Sequence, residues 1–180
     1  TNKFEETRDI VKSYLNAKHR EEIIFTKSAT ESINLVASSF GEKFIKKGDE
    51  ILITELEHHS NYVPWHYLRE KNGAIIKFAS VNENGEVELD EIKKLISNKT
   101  KIIAVTHISN VTGAIMPLQK IVDLAKSKNI PVLVDGTQGA PHASLDMQKI
   151  GCDFYAISCH KMYGPNGLGI LYAKKHWIKK

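Results

Sequence analysis

Short, almost wholly apolar runs recur along this 180-residue chain, and amphipathic segments separate them. Ile23-Ile24-Phe25, Glu50 to Ile53, Ala74 to Ala79, Lys101 to Thr106, Pro131 to Asp135 and Phe154 to Ser158 read as strands, with Gly169 to Ala173 as one more. A strand without a polar face has both faces covered, the condition of a parallel sheet packed between layers of helices. Between the strands, Thr30 to Phe40 carries Ile33, Val36, Ala37 and Phe40 at helical spacing, and Asn61 to Lys71 and Leu89 to Ile96 are further helix candidates. Pro117 suits the first turn of a helix whose inner face is Leu118, Ile121, Val122 and Ala125. Asn84-Gly85 marks a turn. The expected fold class is α/β, a three-layer α/β/α sandwich with a mostly parallel sheet, with residues 1–180 forming one domain.

Composition excludes several classes of function. Hydrophobic residues at 42% and charged residues at 26% are ordinary for a soluble protein. The net charge of +4 is scattered, and the only dense basic groups are Lys174-Lys175 and Lys179-Lys180, too short for a nucleic-acid tail. Two cysteines, Cys152 and Cys159, make no disulfide framework. The N-terminus lacks the apolar run of a signal peptide, and no apolar stretch approaches the roughly 18 residues of a membrane span. A cytoplasmic protein with neither membrane nor nucleic acid as partner is the expectation. The chain opens at Thr1 within helix-like sequence and closes in a basic helix-like segment, so it reads as a piece of something longer.

In open parallel sheets ligands bind beyond the carboxyl ends of the strands. The polar candidates stand there: Ser28-Ala29-Thr30, His58-His59, Ser109-Asn110, Asp135 to Gln138 and Ser158 to Lys161. Asp135 ends an apolar strand and can either cap the next helix or hold a protonated ring nitrogen by a charge-assisted hydrogen bond, with Gln138 on the same face. Lys161 follows a strand and precedes the turn-rich Gly164 to Gly169; such a lysine, partly out of water, is freed to attack a carbonyl. Strand alternation would point Ser158 and His160 one way and pack Cys159 on the other side. Ser28-Ala29-Thr30 opens a helix, where free amides and the helix dipole serve equally as a plain N-cap or as a phosphate site. Five histidines lie near strand ends, but no His-Glu-x-x-His or paired Cys-x-x-Cys spacing is present, so no metal site is expected.

Five segments in unbroken order carry a resemblance. They are Phe25 to Asn34, Glu57-His58-His59-Ser60-Asn61, His107 to Gly113, Val134-Asp135-Gly136-Thr137-Gln138, and Ser158 to Pro165. Together they resemble the class V aminotransferase superfamily of fold type I pyridoxal-5′-phosphate (PLP) enzymes, and within it the SufS-like cysteine desulfurases. The resemblance implies that Lys161 carries the cofactor and later shuttles protons, and that His58 stacks on the pyridine ring and helps move protons. It implies that Asp135 pairs with the pyridinium nitrogen, that Gln138 bonds the phenolic oxygen, and that Asn110 lies beside the ring. Thr30, Ser158 and His160, with the helix start at Ala29, would bind the phosphate. The Glu57 to Trp65 run favours the SufS-like branch over the IscS-like one. The implied reaction converts L-cysteine to L-alanine, passing sulfur as an enzyme persulfide to an acceptor protein of the SufE or SufU type for iron–sulfur cluster assembly.

The same resemblance implies a homodimer, a preceding N-terminal segment and a C-terminal small domain. That small domain holds the persulfide cysteine and the arginine that grips the substrate carboxylate. After Lys161 this chain has neither Cys nor Arg, so by itself it is expected not to turn over cysteine efficiently. The alternatives are another class V enzyme (a selenocysteine lyase, kynureninase or epimerase) and a non-catalytic split-gene remnant that binds a partner.

Overall fold

The computed structural model describes residues 2–179. Its sheet contains β1 (Ile23–Thr26), β2 (Glu50–Thr54), β3 (Ile75–Ala79), β4 (Thr100–Thr106), β5 (Val132–Asp135), β6 (Phe154–Ser158) and β7 (Gly169–Ala173). The strand order is β1-β7-β6-β5-β4-β2-β3. From β6 to β3 every pairing is parallel, while β7 and β1 add an antiparallel margin. The helices are α1 (Asn2–Tyr14), α2 (Ala29–Val36), α3 (Glu42–Phe44), α4 (Val63–Asn72), α5 (Leu89–Leu95), α6 (Leu118–Ser127), α7 (Gly139–His142), α8 (Met147–Ile150) and α9 (Lys175–Ile178).

Alternation along the strands divides the core into two layers. Leu52, Ile103, Val105, Val132, Val134 and Tyr155 pack toward α5, α6 and α8. Ile51, Ile53, Ile102, Ala104, Leu133 and Ala156 face the opposite layer with Ile33 and Val36 of α2 and Trp65 and Leu68 of α4. The expected inner face of α6 is the buried one, comprising Leu118, Ile121, Val122 and Ala125. This is the α/β sandwich that the apolar runs dictate. The exception is β3, whose Ile75 and Phe78 are exposed because the strand closes the sheet at its edge.

Two helices depart from their sequence pattern. The helix expected over Thr30 to Phe40 stays α-helical only to Val36, and Ala37–Gly41 forms a wider π-helical turn. Tertiary packing decides this, because Phe40 inserts among Phe44, Phe154 and Trp177 with ring centroids 5.0, 5.9 and 5.1 Å away. At Gly41 a Cβ would lie 2.4 Å from Leu68 Cδ1, so any larger residue would make the Leu68 side chain shift for the turn to press against α4. The segment expected as a helix from Asn61 begins instead with a 3-10 turn, His59–Asn61, and becomes α-helical at Val63. Helices α7 and α8 have four residues each, too few to show a period in the sequence.

Candidate active site

A cavity of about 280 Å³ opens beyond the carboxyl ends of the parallel strands. Lys161, His58, Asp135, Gln138, Thr30, Ala29, Asn110, Ser158 and His160 all line it. Residues from positions 29 to 161 therefore meet in one place, because crossover helices return each strand's end to the same edge.

One wall is the start of α2. Ser28 caps the helix by accepting from the Glu31 amide at 3.1 Å. The Ala29 amide donates to Ser158 Oγ at 2.8 Å, joining the helix start to the end of β6. Gly169 permits this approach. A Cβ there would stand 2.5 to 2.7 Å from the Ser28 backbone. Thr30 Oγ1 and Ser60 Oγ are 2.7 Å apart, and Ser60 Oγ lies 3.0 Å from His58 Nδ1. The dipole of an eight-residue helix and this row of hydroxyls make the wall a cradle suited to an anion, which would compete for the Ala29 amide now bonded to Ser158.

Asp135 forms the floor. It is buried, and Oδ1 accepts from the Thr137 amide at 3.0 Å. Burial pushes its carboxyl above the ordinary value, against the Thr137 hydrogen bonds and the nearby His58. A cationic ring nitrogen would relieve that penalty directly. The following loop, which carries Thr137 and Gln138, lies flat on a buried pair formed by His107 Nδ1 and the Tyr155 hydroxyl, 2.7 Å apart. A Cβ at Gly136 would fall 1.9 Å from Tyr155 Cε1, and one at Gly139 would fall 2.2 Å from His107 Nδ1. Burial pushes the His107 imidazole down and the Tyr155 phenol up, so both sit there uncharged.

Lys161 departs in one respect from expectation. It is solvent-exposed at the cavity mouth and not partly withdrawn from water, because β6 stops at Ser158 and Cys159–Met162 is a 3-10 turn. Strand alternation therefore does not extend to His160, and the turn brings His160 to the same cavity as Ser158. Cys159 is packed, as expected, and burial pushes its thiol up. Among the described residues, no three His, Cys, Asp or Glu side chains converge in a way that could hold a metal. None of the helices described is long and apolar enough to cross a membrane.

Sequence reasoning missed Ser60, Thr106 and Ile108 as lining residues, and it included Thr137 only within the stretch Asp135 to Gln138, without a role of its own. Ser60 carried a signal, since a serine two residues after His58 can return a hydrogen bond to it, here from its own amide to Nδ1 at 3.2 Å. Taken together, the donor set is one primary amine, one buried carboxylate and a hydroxyl-rich helix start. It fits a flat, phosphorylated, carbonyl-bearing cofactor such as PLP.

The family described as Aminotransferase class-V matches residues 1–180. A probable cysteine desulfurase of Halalkalibacterium halodurans is 44% identical over 180 residues, which cover all of this chain and 44% of that protein. Another, from Staphylococcus epidermidis, is 48% identical over 179 residues, 99% of this chain and 43% of its own length. Among solved structures, the cysteine desulfurase CsdA of Escherichia coli superposes with a TM-score of 0.93 at 38% identity, over 97% of this chain and 44% of that one. A structure described as SspA in complex with cysteine superposes with a TM-score of 0.90 at 26% identity, over 97% of this chain and 50% of the other. The chain thus spans less than half the length of the curated relatives it matches.

Proposed function

Because the chain belongs to the class V aminotransferase family, we propose that it is the cofactor-binding part of a PLP-dependent cysteine desulfurase of the SufS-like branch. The observation that carries this reading is the meeting of Lys161, Asp135 and His58 around one cavity beside a helix N-terminus. When bound, PLP supplies an electron sink for bonds made or broken at an amino acid's α-carbon.

The chain's own residues divide the remaining work. Asp135, buried at the cavity, would face the ring nitrogen and, as the carboxylate, favour its protonated form, the cation in turn offsetting the burial that now raises its carboxyl. Gln138 offers its amide to the phenolic oxygen. The α2 start with Thr30, Ser158 and His160 anchors the phosphate through charge-assisted hydrogen bonds. His58 covers the ring face and moves a proton there, and its tautomer is set by Ser60, whose amide donates to Nδ1. The Lys161 amine at the cavity would hold the cofactor and, when free, would be placed to carry protons there. Asn110 stands beside the ring at the substrate's side.

In this reading L-cysteine is the substrate and L-alanine the product. The sulfur passes as a persulfide to a SufE- or SufU-type acceptor for iron–sulfur cluster assembly, in a cytoplasmic homodimer. Relatives named for cysteine desulfuration and a structural neighbour described in complex with cysteine support it. The test is to add PLP, record the visible band, reduce with borohydride and locate the label by peptide mass spectrometry. A label on Lys161 that disappears in Lys161→Ala is the expected result. No label, or label spread over many lysines, would overturn the assignment.

A further inference from the structure

Glu57 directly precedes His58 but does not line the cofactor cavity. Part of the residue reaches the surface, while its carboxyl group lies deep and both oxygens are bonded. Oε1 accepts from the Thr54 hydroxyl at 2.6 Å and the Thr106 amide at 2.9 Å. Oε2 accepts from the Asn61 side-chain amide at 2.6 Å. Asn61 in turn accepts from the Trp65 indole N–H at 3.1 Å, and both of these residues are completely buried. This line runs from α4, through the His58 loop, to the end of β4, where Thr106 pairs with Asp135.

Three donors converge on one side chain, which must therefore accept at both of its terminal atoms. A glutamine would set its NH₂ against that of Asn61, and flipping Asn61 would only move the conflict to the Trp65 N–H. Burial pushes the Glu57 carboxyl up to about 7, and the charge of Asp135 adds to the rise. A carboxyl kept in so unfavourable a place has a task that its geometry must explain.

Resting on the function proposed above, we infer that Glu57 is a positioning residue, whose carboxyl clips the His58 loop to β4 and α4 and so fixes where the His58 ring stands at the cavity. Three variants of the chain test this: Glu57→Ala, Glu57→Gln, and the exchange Glu57→Gln with Asn61→Asp. In the exchange the new amide donates to the new carboxylate, which still accepts from Trp65. PLP affinity, read from the visible band, is expected to fall about tenfold in either single variant, the effect of one lost buried hydrogen bond to a charged group. The exchange should return it to within about twofold of the parent. Glu57→Ala combined with His58→Ala should bind no worse than His58→Ala alone.

A second readout needs no cofactor. The His58 imidazole resonances should shift in Glu57→Gln and return in the exchange. Glu50→Gln, which disturbs a buried carboxylate bonded to Ser97, Thr100 and Lys77, should lower stability without moving them. Unaltered His58 resonances and PLP affinity in Glu57→Ala would overturn the inference, as would full additivity with His58→Ala. If the parent chain takes no PLP on Lys161, the functional reading fails by itself, and the His58 resonances still decide the role of Glu57.

Discussion

Replacing Gly169 with alanine tests whether the start of α2 is seated where the anion cradle needs it. The added Cβ would meet Ser28 C, Cα and N at 2.5, 2.6 and 2.7 Å. Ordinary carbon contacts begin near 3.5 Å, so the two backbones must part by nearly 1 Å, about the separation that a well-packed interior resists. Neither side can yield through a rotamer, since Gly169 is bonded into β7 between Thr26 and Ser158. Overpacking of this kind costs about 1–3 kcal/mol, and a chain of this size should melt about 5 °C lower. The same displacement stretches the 2.8 Å link between the Ala29 amide and Ser158. Phosphate recognition should therefore suffer more than ring recognition. The assay compares binding of PLP with that of pyridoxal, which lacks the phosphate, and the preference for PLP should fall about tenfold, the value of one charge-assisted hydrogen bond. Gly167→Ala is the control. Its φ is +79° and nothing lies within 4 Å, so it should cost stability through backbone strain and leave the preference alone. Wild-type melting and wild-type preference in Gly169→Ala would refute the reasoning.

The remaining expectations concern the groups around that cradle. Glu57 holds a proton more tightly folded, at about 7, than its ordinary value of 4.5. Its contribution is therefore complete below about 4.5 and is lost as pH rises through 7, up to about 3 kcal/mol, with Asp135 acting in the same direction. Urea unfolding at pH 5 and pH 8 should show the fall, and Glu57→Gln should flatten it; equal slopes in both proteins would contradict the sign. Tyr155→Phe leaves the buried His107 Nδ1 without its 2.7 Å partner and should cost about 1–3 kcal/mol by thermal melting, a result that an unchanged midpoint would exclude. Cys152 is buried with its thiol pushed up to about 12, so a maleimide should label it only as the chain unfolds. Rapid labelling of Cys152 in the native chain would disprove that burial.

The sequence alone specified the layers and the edge at which chemistry collects. Apolar runs without a polar face require cover on both sides, and parallel connections return the ends of the parallel strands to one rim. Asp135, Ser158 and the Ser28 cap could therefore be located by counting along the chain. Nine of the residues lining the cavity were legible for the same reason, while Ser60, Thr106 and Ile108 were not. What the one-dimensional pattern could not hold was anything set by approach between distant segments. The π turn at Ala37–Gly41 exists because Phe40 must reach Phe154 and Trp177, 114 and 137 residues away by their numbers. The strand end at Ser158 gives way to a 3-10 turn, so Lys161 stands in solvent where alternation would have tucked its neighbours in and out. Glu57 reads locally as a polar residue beside a histidine, with Asn61 four residues on as a local partner, and only β4, closing on it with the Thr106 amide, makes it a buried clip. Periodicity records which face of an element is buried; which particular donors arrive at a carboxylate depends on the packing of elements far apart in the chain.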